Sequence, residues 1–162
     1  MEIVAQYLRV QALAHSLETE RDLFGRSAFN RFYYAAFLIV RADLGAAIPE
    51  LPTQHAGIPD FLKTTVINKL AKGRERARRV QDTELVNLFS RARSAAHDLA
   101  SLMTEGNSTR VLADYFPEES IVFAPDGEFH LRKISVSRAQ SWPSKASHFA
   151  GTVVAAWRET HV

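Results

Sequence analysis

The sequence has no cysteine among its 162 residues. This absence excludes a disulfide framework, a metal site with thiolate ligands and a cysteine nucleophile. It is compatible with a reducing compartment, and we expect a cytoplasmic protein. The beginning of the chain, MEIVAQYLRV, lacks the basic and then apolar pattern of a signal peptide. The longest apolar run, Phe32 to Val40, is too short to span a bilayer, so no association with a membrane is predicted.

An excess of charge of one sign is also missing. The formal net charge is +2 at pH 7, so any role in binding nucleic acid depends on a local cluster of basic residues. Hydrophobic residues make up 46% and charged residues 23% of the sequence, which is typical of a folded globular protein. With this length we expect a single domain, 1–162, that buries a hydrophobic core.

The first part of the chain has the periodicity of helices. From Glu2 to Glu20, apolar residues recur at helical spacing: Ile3, Tyr7, Val10, Ala14 and Leu17. Gly25 interrupts this pattern, and Ser27 can cap a second helix that stops at Gly45. The stretch that follows, as far as Pro59, is rich in proline and is predicted to be a loop.

Two further helices are predicted after this loop. A third helical stretch begins near Asp60 and either continues beyond Gly73 or breaks there. A fourth helix begins after Asp82, whose side chain can cap it, and ends at Gly106-Asn107.

The pattern then changes to two short runs with strand character, on either side of Pro125-Asp126-Gly127. Such a turn is typical of a β-hairpin, which we place at about 120–136. The last helix is predicted from about Ser141 to Thr160, with Pro143 in its first turn. The predicted fold class is therefore all-α: an up-down bundle of four or five helices, with a small β-hairpin inserted before the last helix.

The segment SAFNRFYYAAFLIVR, Ser27 to Arg41, is mostly apolar but carries polar residues near its start. A guanidinium in such a helix needs a carboxylate or several carbonyl groups, because an unpaired buried charge is costly. A candidate partner is Asp114, which lies between Arg110 and Tyr115 in TRVLADYFPE. The structural polar network predicted from these residues comprises Asn30, Arg31, Tyr34 and Asp114.

The same segment resembles the second helix of HEPN-domain proteins (higher eukaryotes and prokaryotes nucleotide-binding), where an arginine or asparagine–arginine precedes a Tyr-Tyr-Ala-aromatic run. The stretch from Arg110 to Tyr115, RVLADY, resembles the Arg-x-x-Ala-Asp-Tyr element of the same families. The two motifs occur in the family's order, and the likeness covers most of residues 1–116 and 141–160. The resemblance implies a HEPN-like helical bundle in which Arg31 and Asp114 lie within contact distance.

Two interpretations of the arginines in these motifs stay open. In the first, they belong to an internal network and contact no ligand. In the second, Arg31 and Arg110 bind RNA phosphates, because arginine is a usual phosphate-contacting residue.

The resemblance also raises the possibility of metal-independent ribonuclease activity, which in this family requires an arginine and a histidine a few residues later. A histidine can transfer a proton near neutral pH, and an arginine can stabilise the charge that develops on a phosphate. Arg91 and His97 have this spacing, as do Arg9 and His15, and the candidate catalytic pair is Arg91 with His97. Two residues at this spacing lie about 120° apart around a helix.

A basic stripe is predicted in INKLAKGRERARRVQD. If the helix continues through Gly73, four cations lie on one face at spacings of three and four residues. These four residues are Lys69, Lys72, Arg76 and Arg79. Such a face can follow an RNA backbone, and each phosphate contact adds a salt-sensitive increment of affinity. The alternative is a solvated helix face without a ligand.

Three hypotheses for the function follow. The first is a HEPN-like module of a prokaryotic defence or toxin–antitoxin system that binds RNA or a partner protein encoded nearby, as a homodimer formed through its apolar helices. The second is an active endoribonuclease of the same fold. The third is a purely structural bundle, such as a toxin-neutralising partner.

Positions after Arg110 hold Tyr115 and Phe116 where the family has histidine, which favours a non-catalytic module. No cofactor or metal is expected, because the histidines lack metal-ligand spacing.

Overall fold

The computed structural model describes residues 1–161, with the side chain of His161 excepted, and is mostly helical. The helices are α1 (Glu2–Ala14), α2 (Glu18–Ala47), α3 (Gly57–Phe61), α4 (Ile67–Arg79), α5 (Thr83–Tyr115), α6 (Val136–Gln140) and α7 (Trp142–Arg158). A π-helical turn, Leu62–Val66, joins α3 to α4, and a 3-10 turn, Glu159–His161, follows α7. The strands are β1 (Val122–Phe123), β2 (Phe129–Leu131) and β3 (Ile134–Ser135). The predicted fold class, all-α with a small β excursion, is confirmed.

The chain forms two compact units. The first unit contains Met1–Phe37 and Glu105–Ser144, and the second contains Leu38–Thr104 and the chain from Lys145 onward. Helices α2, α5 and α7 each contribute residues to both units. Within the part of the chain that the structure describes, no helix combines the length and the apolar character needed to cross a membrane.

The first helix ends earlier than its apolar periodicity predicts. Helix α1 stops at Ala14, and His15 adopts an extended backbone with a ψ of 147°. The ring of His15 stacks on Phe24 with centroids 4.7 Å apart, and its Nδ1 atom lies 2.7 Å from Glu20 Oε2. These contacts stabilise a corner between α1 and α2. The prediction of one continuous helix to Glu20 is wrong because periodicity does not register such side-chain contacts.

Three glycines that were predicted to interrupt or end helices, Gly25, Gly45 and Gly106, lie inside them. Helix α2 passes through Gly25 and α5 passes through Gly106. A Cβ atom at Gly106 would lie 2.6 Å from Tyr33 Cδ2, and one at Gly25 would lie 3.1 Å from Ile121 Cγ1. Gly25 and Gly106 are points of close packing in the first unit, and this packing offsets their poor helix propensity. Ser27 consequently lies within α2 and not at its N-cap.

The predicted hairpin is an antiparallel sheet of three strands in the order β1-β2-β3. The second strand-like run divides because Arg132 adopts a left-handed backbone, with a φ of 52°, which turns the chain between Leu131 and Ile134. Phe129 is buried, and its ring meets Phe29 of α2 edge-on with centroids 5.8 Å apart. The sheet therefore packs on the core of the first unit.

One arginine of α2 holds the end of α5 and the turn after it. The Arg26 guanidinium donates to five backbone carbonyl oxygens: those of Leu112, Ala113, Phe116, Pro117 and Glu119. One turn earlier, Asp22 Oδ2 lies 2.5 Å from Arg26 Nε, and Asp22 Oδ1 accepts a hydrogen bond from Ile121 N at 2.8 Å. Because the last carbonyls of a helix have no partner within it, Arg26 acts as the cap of α5.

In the second unit, α4 packs closely on α5 at Gly73. A Cβ atom at Gly73 would lie 2.6 Å from Cζ of Phe89, which is buried. The helix therefore continues through this glycine to Arg79, which decides between the two alternatives left by the sequence. Asp82 Oδ1 accepts a hydrogen bond from Leu85 N at 2.9 Å, so the prediction that Asp82 caps α5 is confirmed. Helix α5 continues to Tyr115 and does not end at Gly106.

Candidate nucleic-acid interface

The four cations of the predicted stripe line one groove of the second unit. This basic groove has a volume of about 680 Å³, and its lining residues are Lys69, Ala71, Lys72, Glu75, Arg76, Arg79 and Thr160. The cations meet there because α4 is continuous, so that spacings of three and four residues return to the same side of the helix. Among the described residues that line the groove, only Glu75 carries a negative charge, and its carboxylate lies 3.3 Å from Arg78 Nη1.

Two of these cations are engaged by the C-terminal part of the chain. Arg76 Nη2 donates a hydrogen bond to the carbonyl oxygen of Thr160 at 2.7 Å. This carbonyl lies in the last helical turn, where such groups lack partners within the helix. Lys69 Nζ lies 4.2 Å from the centre of the Trp157 ring, which is a cation–π contact. Arg76 and Lys69 therefore help to build the groove.

The other two cations point to solvent. Lys72 and Arg79 are exposed, and neither makes a hydrogen bond or an ion pair with any residue that the structure describes. A cation without an internal partner can pair directly with an anionic ligand, whereas a paired cation must first break its existing contact. Lys72 and Arg79 are thus the residues of the basic groove best placed to contact phosphate.

Asn30 and Asp114, from the two motifs of the sequence resemblance, are in direct contact in the first unit. Asn30 Nδ2 donates a hydrogen bond to Asp114 Oδ1 at 2.5 Å, and Asp114 Oδ2 lies 3.0 Å from Arg110 Nε. The angle of this second contact does not make it a hydrogen bond, so it is an ion pair. The contacts join α2 to the last turn of α5.

Asn30, Arg110 and Asp114 form a polar cluster, in which the guanidinium of Arg110 is already paired. Its charge is balanced by Asp114, and its guanidinium carbon lies 5.6 Å from the centre of the Tyr115 ring. Burial raises the pKa of the neighbouring Tyr33 phenol above its ordinary value, and the positive charge of Arg110 opposes part of this rise. These contacts favour the structural interpretation of Arg110 over phosphate binding.

Arg31 lies outside the polar cluster. It is exposed on α2, and its guanidinium carbon is 5.9 Å from the centre of the Tyr34 ring. The carboxylate of Asp114 is bonded to Asn30 and paired with Arg110, and Arg31 forms no ion pair with it. The physical reason is that successive residues on a helix point about 100° apart, so Asn30 and Arg31 face different directions. The contact that the resemblance implied between Arg31 and Asp114 is absent here.

Arg91 and His97 both lie on α5 and are exposed, and their spacing directs them about 120° apart around the helix. Arg91 lines a groove of about 540 Å³ together with Asp98 of α5 and His148 of α7. His97 is not among the residues that line it. The sequence did not single out His148 for this role, because no local spacing connects it with Arg91. The juxtaposition depends on how α5 and α7 pack in the second unit.

No protein-family model, curated protein or solved structure matches the chain. Among the described residues, no group of three or more histidine, aspartate or glutamate side chains could hold a metal ion. A proposal for the function therefore depends on the contacts, charges and grooves of the chain itself.

Proposed function

We propose that this chain is a HEPN-like helical module that binds RNA through the basic groove. The observation that carries the proposal is the exposure of Lys72 and Arg79 on the same side of α4, without internal partners and on the groove that Lys69 and Arg76 help to line. Phosphate groups dominate the affinity of RNA for protein, and such cations supply the matching charge. Among the described residues, no exposed aromatic side chain lines the groove, so we propose recognition of the backbone and not of stacked bases.

The assignment to a HEPN-like bundle is part of this proposal. The hydrogen bond between Asn30 and Asp114 supports it, because it joins the Tyr-Tyr-Ala helix to the Ala-Asp-Tyr element. The contact that the resemblance implies between Arg31 and Asp114 is absent, and this counts against the assignment. A module of this kind fits a prokaryotic defence or toxin–antitoxin system, in which it binds RNA.

We expect the double variant Lys72→Ala/Arg79→Ala to lose RNA affinity and salt sensitivity together. Each phosphate contact contributes about 0.7 to the slope of log K against log salt for single-stranded nucleic acid, so losing two lowers the magnitude of the slope by about 1.4. Fluorescence anisotropy with a labelled RNA, measured over a series of salt concentrations, gives both the affinity and the slope.

The matched control for this experiment is Lys63→Ala/Lys145→Ala. Both lysines are exposed in the second unit and neither lines the basic groove, so the control removes the same charge from other positions. Equal losses in the two double variants would mean that RNA responds to net charge and would contradict the groove. A wild-type protein that binds no RNA at low salt would instead favour the structural bundle, such as a toxin-neutralising partner.

A metal-independent endoribonuclease is the second candidate function. The observation that favours it is the groove in which Arg91, Asp98 and His148 converge. Arg91 is exposed and makes no hydrogen bond or ion pair with the described residues, so it is available to a scissile phosphate. His148, and not His97, would then supply the group that transfers the proton.

This second function is tested by incubating structured RNAs with the protein in EDTA. If the groove is catalytic, we expect Arg91→Ala and His148→Ala to reduce cleavage by about 100-fold or more, whereas His97→Ala stays close to wild type. Cleavage that His97→Ala abolishes would restore the original pair Arg91–His97. The absence of any cleavage by folded wild-type protein would exclude this candidate and leave RNA binding unaffected.

A further inference from the structure

Helix α1 has its large apolar side chains on the side that faces away from the protein. The residues that it buries are small, Ala5 and Ala12. Ile3, Tyr7 and Val10 lie on the opposite side at helical spacing and are 86, 60 and 50% exposed. The apolar stripe that the sequence predicts is present, but it is exposed. In most surface helices the largest apolar residues face the core instead.

This apolar surface is unusually concentrated. Of the thirteen large hydrophobic residues that are exposed among the described ones, eight lie within positions 1–23: Met1, Ile3, Val4, Tyr7, Val10, Leu13, Leu17 and Leu23. Six of the eight lie on α1 or at Met1 directly before it, so exposed large apolar side chains are concentrated at this helix. Scattered apolar side chains need no explanation, but such a concentration on one helix marks an interaction surface.

The outer face of α1, defined by Ile3, Tyr7, Val10 and Ala14, carries no charge. Glu2 lies at the start of the helix, away from the middle of this face. Arg9, the one cation of the helix, is turned inward, where it donates to Gln140 and lies 3.4 Å from Glu128 Oε1. A partner selected by electrostatic complementarity would be matched by charges on the face. A face without charge can instead pack against an identical face without like-charge repulsion.

We infer that the outer face of α1 binds the same face of a second copy of this chain. A two-fold pair brings the same patch together from both protomers and so requires only that the patch is complementary to itself. The helices would run antiparallel, because that arrangement opposes their dipoles favourably and separates the two Glu2 carboxylates. Tyr7 and Val10, near the middle of the face, would lie next to the two-fold axis. This inference concerns a surface other than the basic groove and does not depend on RNA binding.

Sedimentation of the full chain over a range of concentrations tests this inference. The wild type is expected to form a dimer, and Tyr7→Glu or Val10→Glu is expected to raise the dissociation constant by at least about 30-fold, as for an interface hot spot. Val122→Glu is the matched control, because Val122 is 65% exposed in the same unit but lies outside α1. A wild type that stays monomeric at every concentration would overturn the inference, and so would a dimer that neither α1 variant weakens.

Cross-linking provides a second measurement that does not rely on destabilising the dimer. Because the chain has no cysteine, Val10→Cys introduces a unique thiol, and we expect it to form an intermolecular disulfide under mild oxidation. Ile3→Cys, at the end of the helix, should cross-link much less in an antiparallel pair. Efficient cross-linking of Val122→Cys and not of Val10→Cys would place the contact elsewhere and refute the inference.

Discussion

The Arg26→Met variant is expected to lose about 3–5 kcal/mol of the free energy of unfolding. Its side chain is 11% exposed and donates to five backbone carbonyl oxygens at the end of α5 and in the following turn. Methionine preserves much of the apolar stem but removes the five hydrogen bonds to these carbonyls and the ion pair with Asp22, whose carboxylate then keeps only its hydrogen bond from Ile121 N. Each unsatisfied buried acceptor costs free energy, so the effect exceeds that of an ordinary surface substitution.

Urea denaturation followed by circular dichroism measures this loss. Arg31→Met is the matched control, because Arg31 lies five residues later on the same helix, is exposed and makes no hydrogen bond or ion pair with described residues. Its substitution should change the free energy of unfolding by less than about 0.5 kcal/mol. Similar losses for the two variants would show that Arg26 does not cap α5 in solution.

Gly106→Ala should destabilise the protein by about 1–3 kcal/mol, although alanine is normally the better residue in a helix. The new Cβ atom would lie 2.6 Å from Tyr33 Cδ2 and 3.3 Å from Cε2. Tyr33 is completely buried, so its ring cannot move away without disturbing the core of the first unit. Thermal and urea unfolding of purified variants would measure the change.

Gly151→Ala separates this packing effect from helix propensity. Gly151 also lies inside a helix, but no atom approaches within 4 Å of the Cβ position there. Its replacement is expected to stabilise the protein by about 0.5–1 kcal/mol. If both variants gain stability, then α5 and Tyr33 are not in close contact, and the packing of the first unit described above is wrong.

Whether a cation has a partner within the protein distinguishes a structural from a ligand-binding role better than the net charge of the chain does. Arg26 and Arg110 are occupied by carbonyls or a carboxylate within the first unit, and Arg76 by a carbonyl in the second. Lys72 and Arg79 have no such partners among the described residues. Although the net charge of the chain is only +2, α4 therefore carries a local excess of positive charge. Binding experiments should target these two residues before the arginines of the sequence motifs.

The sequence by itself determined the local features of this protein. Helical periodicity, the Asp82 cap and the turn at Pro125-Asp126-Gly127 depend on residues within a few positions of one another. The spacing of Lys69 to Arg79 is also local, but it gives one basic face only if the helix continues through Gly73, and the structure decided that point. Such features follow from backbone geometry and propensity, so an isolated stretch of sequence is enough to predict them.

Only the tertiary structure decided which of several locally reasonable outcomes occurs. Gly25 and Gly106 are poor helix formers, yet they lie inside helices because Ile121 and Tyr33 pack against them from distant parts of the chain. The apolar stripe of α1 was visible in the sequence, but periodicity cannot tell whether the large or the small side of a helix is buried. Likewise Arg91 lines a groove with His148 and without His97, because packing brings residues of different helices to the same groove. These outcomes depend on contacts between residues far apart in sequence, and no local pattern encodes them.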